Sequence, residues 1–240
     1  MGTIRATRAL EGIAERKPVV FVGFPGFGMA ASIAMQYLVE HVACERVAHL
    51  MIDDPAGSFM AVHGGEPVWP VSVYFCEERN VVLVHSFVSF QGAESELFKE
   101  IDALFARIDP SEIVLLESVA AADDTAHKSY VFTLDASRKE HYMKSLPALE
   151  EGVLLGVSPH LYSTYPDLLV GIFTEANMAL PDSEAAASLV RTLDELFGLQ
   201  INRDDLAAMT AEFERKVKSL LKKSKNAQTL KERNQMSYVG

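Results

Sequence analysis

The chain has 240 residues, 49% of them hydrophobic and 23% charged, which is enough to bury one large core. With 22 Lys and Arg against 33 Asp and Glu, the formal charge of −11 argues against a general binder of phosphate backbones and hence against a nucleic-acid partner. The sign is uneven: residues 214–240 hold eight Lys/Arg and two Asp/Glu, giving +6, whereas residues 1–213 hold 14 against 31, giving −17.

Residues 1–17 lack the apolar run of a secretory leader, and no window approaches the roughly 20 unbroken apolar residues of a membrane span. A soluble, cytoplasmic protein with no membrane partner is expected. Val19–Val22 reads as the first strand, and the turn after it leads into a helix over Gly28–Glu40. A strand at Ala48–Ile52 follows. Met60–Glu78, with Gly64-Gly65 as its turn, suits an antiparallel hairpin at one edge and contains the strand Val71–Phe75. Cys44 and Cys76 are the two cysteines, and with no second thiol at metal-ligand spacing they are expected as buried reduced thiols, which fits a reducing compartment. Further strands are expected at Val81–Ser86, Ile113–Glu117, Tyr130–Thr133 and Leu168–Phe173, and helices at Gly92–Ile108 and Glu184–Phe197. Apolar runs on consecutive positions suit strands buried on both faces, and their alternation with helices implies an α/β fold with a mainly parallel sheet flanked by helices. Asp182 or Ser183 caps the Glu184 helix and Gly198 stops it. A last helix, Arg203–Lys223, has Asn202 as its cap and carries Leu206, Met209, Phe213, Val217, Leu220 and Leu221 on one stripe, the kind of face that packs against the body or a second subunit. The division expected is a core domain over 1–202, an amphipathic helix over 203–225 and a flexible basic tail over 226–240.

Two places carry candidate chemistry. Gly26-Phe27-Gly28-Met29-Ala30-Ala31 matches the dinucleotide pattern G-x-G-x-x-[GA] between a strand and a helix, and Asp53 lies near where the ribose acid belongs. Against a phosphate cradle, Pro25 removes one amide donor and two Phe residues crowd the loop. The glycines serve equally well as a tight turn that lets the helix approach closely. The second place is the carboxyl ends of the strands, where Asp53, His85, Glu117 and Glu175 surface with Ser86, Ser118 and Thr174 nearby. A His with carboxylates there suits acid–base work on a nucleotide or nucleoside, while the need to cap and solvate strand ends accounts for the same residues without a ligand. The seven His have no i, i+4 pair, and no phosphate-loop, zinc-protease, C-x-x-C or G-x-S-x-G motif occurs, so no metal or other cofactor is expected.

GFPGFGMAASIAMQYLVEH resembles the N-terminal signature of the proteasome assembly chaperone family of archaea and bacteria. In order along the chain, Leu154-Leu155-Gly156-Val157-Ser158, Thr174-Glu175-Ala176, Leu180-Pro181-Asp182 and Leu196-Phe197-Gly198-Leu199-Gln200-Ile201 extend the resemblance over roughly residues 17 to 221. It implies a fold similar to the nucleoside-phosphorylase and peptidyl-hydrolase type, homo-oligomerisation and no catalysis. It also implies that Gly23, Pro25, Gly26 and Gly28 form a scaffold turn. Archaeal members of the family are linked to the 20S proteasome through a C-terminal hydrophobic-Tyr-any tripeptide, whose free carboxylate pairs with a Lys between α subunits. Here the chain ends Met236-Ser237-Tyr238-Val239-Gly240, with Tyr third from the end rather than penultimate, so tail docking through Met236, Tyr238, Val239 and Gly240 departs from the family pattern. Pro159, where the family more often has Gly, is a second departure. The expected oligomer interface is the Met209, Phe213, Val217 and Leu220 stripe.

Overall fold

The computed structural model describes residues 3–6, 10–52, 61–63, 66–86, 88–121, 127–178, 180–202, 204–206 and 208. The chain divides into one unit ending at Ile201 and another from Asn202 onward. The first is built on an eight-stranded sheet. In chain order its strands and helices are β1 (Thr3–Ala6), α1 (Glu11–Ala14), β2 (Val19–Gly23), α2 (Ala30–His41), β3 (Glu45–Met51), β6 (Val71–Cys76), β7 (Val81–His85), α3 (Glu94–Ile108), β8 (Glu112–Ala120), β9 (Ser129–Thr133), α4 (Ala136–Tyr142), α5 (Ser158–Thr164), β10 (Leu169–Ala176) and α6 (Ser183–Phe197). Between β3 and β6, β4 (Ala61–His63) and β5 (Glu66–Val68) pair antiparallel as a separate two-stranded sheet. The antiparallel pairing expected around Gly64-Gly65, two residues outside the described ones, is present, but as a separate sheet and not at an edge of the main one, where Val71–Cys76 instead lies between β3 and β7.

The strand order is β1-β3-β6-β7-β2-β8-β10-β9. Parallel pairing holds the centre, β7-β2-β8-β10, while β1, β3 and β6 on one side and β9 on the other run antiparallel to their neighbours. The α/β class therefore stands, with the parallel part confined to the four central strands, where both faces are covered by helices. Val20, Val22, Val82, Val84, Ile113 and Leu115 face α1, α3 and α5, where Leu97, Ile101, Leu104, Phe105 and Ile108 form a stripe at helical spacing. Phe21 points to the other face and meets Phe197 of α6 edge-on at 4.9 Å. Residues not assigned from sequence form β1, α1, α4 and α5; each is only four to seven residues long, too short for a periodic signal to build.

Several ends follow their sequence signals. Asp182 accepts from the Ala185 amide at 2.9 Å and so caps α6, which Gly198 ends at φ 61°. Asn202 Oδ1 accepts from the Asp204 amide at 3.0 Å, and residues 204–206 are helical. At the amino end of the parallel strands, Arg138 pairs with Glu112 and donates to the carbonyls of Ser111 and Asp167, which ties α4 to the starts of β8 and β10.

The cysteines overturn their expectation. Cys44 and Cys76 are joined in a disulfide, and neither is a free thiol. β3 and β6 run antiparallel with Glu45 opposite Phe75, so the next position outward on each strand is a cysteine. Register, which spacing along the chain does not disclose, places them face to face. The pair thus carries no argument for a reducing compartment.

Candidate functional site

At its carboxyl end β2 leads to α2 on one face of the sheet, while its neighbour β7 leads to α3 on the other. Connections that part in this way leave a crevice, the usual place for a ligand in a parallel sheet. Here it is a cleft of about 380 Å³. Its walls are the turn after β2 (Phe24–Phe27), the approach to α3 (Val88–Gln91, Glu94 and Leu97), the end of β8 (Glu117 and Ser118) and the segment before α5 (Val153 and Leu155–Val157). Phe24 and Phe90 meet edge-to-face at 6.3 Å. Val153 and Leu155 stand 81% and 64% exposed at the rim.

Glu117 is the polar floor. Ser158 donates its hydroxyl to Oε1, and the Ser118 amide also bonds the carboxylate. Burial outweighs both hydrogen bonds and pushes the carboxyl up to about 7, so it is divided between acid and anion near neutrality. Ser118 donates to the Phe27 carbonyl at 2.7 Å, which fixes the turn over the floor. At the mouth, Glu94 accepts from the Gly92 amide at 2.9 Å, and bonds to its own amide and to that of Gly92 hold its carboxyl below the usual range. Among the described lining residues there is no Lys, Arg or His.

Each glycine of the turn meets a different neighbour. A Cβ on Gly23 would lie 2.5 Å from Met35 Cγ, so its absence lets α2 sit close on β2. Gly28 stands at φ 60°, and its carbonyl accepts from the Asp182 amide at 2.8 Å. Gly26 lies over the cleft floor, where a Cβ would come 2.9 Å from Ser118 Oγ and 3.6 Å from Glu117 Oε2. Pro25 lines the cleft wall. The first turn of α2 is packed rather than open. Ala30, Ala31 and Ser32 are 0% exposed, and Ala30 clusters with Ala176 and Ala185 beneath the start of α6. Ser32 donates to the Ser86 carbonyl at 2.8 Å.

Of the described strand-end residues named from sequence, Glu117 and Ser118 line the cleft, and His85, Ser86, Thr174 and Glu175 do not join it. His85 is aligned with Gly23, which is aligned with Leu116, so these three share one face and Glu117 points to the opposite one. Burial takes the His85 imidazole down to about 4, and it is neutral at pH 7. Glu175 is held at the sheet edge, accepting from the Tyr130 hydroxyl at 2.6 Å and the Lys128 amide at 3.2 Å. Thr174 is fully buried and shares a hydrogen bond with Ser129. Asp53, the stripe residues Met209, Phe213, Val217 and Leu220, and the tail residues Met236, Tyr238, Val239 and Gly240 lie outside the described residues. Reading the sequence missed Ser158, Phe24 and Phe90 as cleft residues. The single usable signal was Gly156-Val157-Ser158-Pro159, a helix start with Pro159 in its first turn, where a missing amide costs nothing.

The PAC2 family model matches residues 20–221. An uncharacterised protein of Methanocaldococcus jannaschii is 23% identical over 210 residues, covering 85% of each chain. Among solved structures, Pyrococcus furiosus PbaA, an archaeal homologue of proteasome-assembly chaperone, superposes with a TM-score of 0.76 at 16% identity, over 95% of this chain and all of its own. Pyrococcus furiosus PbaB, an archaeal proteasome activator, gives 0.73 at 14% identity over 91% and 98%. A proteasome-assembly chaperone homologue of Mycobacterium tuberculosis gives 0.61 at 18% identity over 84% and 94%.

Proposed function

The chain belongs to the PAC2 family, and from that premise we propose that it is a non-enzymatic chaperone or adaptor for proteasome assembly or activation in the cytoplasm. The observation that carries this reading is the body itself, whose fold is that of an archaeal assembly-chaperone homologue and of an archaeal proteasome activator over nearly their full lengths. In this reading the protein is a homo-oligomer joined through the Met209, Phe213, Val217 and Leu220 stripe. Its basic tails reach the α subunits of the 20S proteasome through Met236, Tyr238, Val239 and Gly240. Several tails on one oligomer multiply weak contacts by effective concentration. The test is a pull-down of α subunits by the full chain and by a chain lacking residues 236–240. Binding lost with oligomer mass unchanged supports the reading; equal capture by both overturns the tail's role, and no capture by either overturns the proposal.

A second reading is a nucleotide- or nucleoside-binding enzyme or sensor. It is favoured by one observation, the strand-end cleft with Glu117 at its floor. Thermal shift with nucleotides, NAD and nucleosides separates the two, since a ligand at about 100 times its Kd stabilises by about 2.7 kcal/mol.

A further inference from the structure

Keeping from that second reading only that the strand-end cleft holds a small molecule, we propose that its ligand is an organic cation in place of a nucleotide: an amidinium, guanidinium or ammonium group on a flat apolar body.

Charge comes first. The ionisable groups lining the cleft are Glu117 at the floor and Glu94 at the mouth, and no cationic side chain stands among the described lining residues. An anion entering here would be desolvated against carboxylates with no cationic side chain among the described lining residues to pair it, which costs more than it returns. A cation meets the opposite situation. The floor carboxylate lines the cleft, and its two oxygens have different surroundings. Ser158 occupies Glu117 Oε1, whereas Oε2 lies beneath Gly26, where the missing Cβ would have stood 3.6 Å away. Gly26 has an ordinary extended backbone, φ −128°, so its conformation does not demand glycine. What the small residue does is keep a Cβ from crowding Oε2 and the Ser118 hydroxyl, which bonds the Phe27 carbonyl.

The walls fix the body of the ligand. Phe24, Phe27 and Phe90, with Val88, Leu97 and Val157, give an apolar slot, and aromatic faces attract a cation as well as a flat ring. A volume of about 380 Å³ stands at the lower end of small-molecule pockets, suited to a body about the size of a single ring.

The site should respond to pH. From α5, Ser158 and Tyr162 face Glu117; Ser118 adjoins it on β8; Glu94 stands across the cleft on α3, with His160 of α5 acting on it. Burial and the Glu117 charge keep the Tyr162 phenol neutral, and it donates to the Phe132 carbonyl at 2.9 Å. Glu117 is therefore the floor group that changes charge near neutrality, and cation binding strengthens as it ionises.

The test is titration calorimetry of the full chain with three matched probes, benzamidine, benzamide and benzoate, alongside adenosine and AMP. Benzamidine is expected to bind tightest, about tenfold more strongly at about pH 8 than at about pH 6, with benzoate and AMP unbound. Glu117→Gln should erase both the preference for benzamidine over benzamide and the pH step. Should that variant fold poorly, the probe series and pH profile of the unaltered chain decide alone. A pH step that survives in Glu117→Gln, or benzoate or AMP binding as well as benzamidine, overturns the proposal. Adenosine or AMP bound without benzamidine overturns it while sustaining the second reading, and silence from every probe overturns both.

Discussion

At Gly28 a Cβ would lie 2.7 Å from Asp182 Cβ and 3.1 Å from Ala176 Cβ, on a backbone already in the left-handed region. Strain and overpacking then act together, and Gly28→Ala is expected to lower stability by about 2–4 kcal/mol. Urea denaturation measures this, and a loss below about 0.5 kcal/mol would mean the β10–α6 connection yields freely. Two other residues set opposing pH dependences. Glu117 ionises at about 7 when folded against an ordinary 4.5, so the folded chain holds a proton the unfolded chain has released, and this contribution to stability is lost as pH rises through that window. His85 has the reverse behaviour: its pKa falls from 6.5 to about 4, so its contribution is present above 6.5 and lost as pH falls toward 4. Each slope is on the order of 1 kcal/mol per pH unit and they nearly cancel in the parent chain. Glu117→Gln should therefore make stability climb between about pH 4.5 and 6.5, and His85→Gln should make it fall over the same range. Denaturation midpoints at a series of pH values check both, and parallel profiles for the parent and the two variants would refute the pairing. At this scale the sequence marked the glycines as a tight turn that lets α2 approach closely, because glycine has no Cβ and enters the left-handed region most readily. It grouped His85 with Glu117, which the pleat separates onto opposite faces.

At the scale of elements, the Cys44–Cys76 bridge joins the entry to β3 with the end of β6 across 32 positions of sequence. Closing a loop of that length removes about 3–4 kcal/mol of denatured-chain entropy by the loop-entropy estimate. Reduction, or the paired change Cys44→Ser with Cys76→Ser, should lower stability by up to that amount. Comparing denaturation with and without reductant measures it, and an unchanged midpoint would mean the strand pairing alone holds this side of the sheet. The central strands were readable because runs such as Val81–Val84 are apolar at every position, which a strand covered on both faces requires. The direction of a strand leaves no such mark. β6 is as apolar as β7 and yet runs antiparallel to it, since the short connection Glu77–Asn80 allows a turn back and no crossover.

For the whole molecule, the apolar stripe from Met209 to Leu220 is the surface we propose for self-association. Phe213→Asp with Leu220→Asp is expected to reduce the oligomer to a monomer in analytical ultracentrifugation, with the body's denaturation midpoint preserved. A mass equal to that of the parent would remove the stripe from the interface. Composition, the alternation of apolar runs with helical stripes, the caps at Asp182 and Asn202 and the order of the family motifs are local properties, so the sequence alone determined the α/β class, most element positions and the kinship. Register, strand direction and the side of the sheet on which each residue emerges depend on partners distant along the chain. For that reason only the tertiary structure decided that Cys44 meets Cys76, that His85 and Glu175 stand apart from Glu117, and that Ser158 and Gly26 frame one carboxyl group at the floor of a cleft.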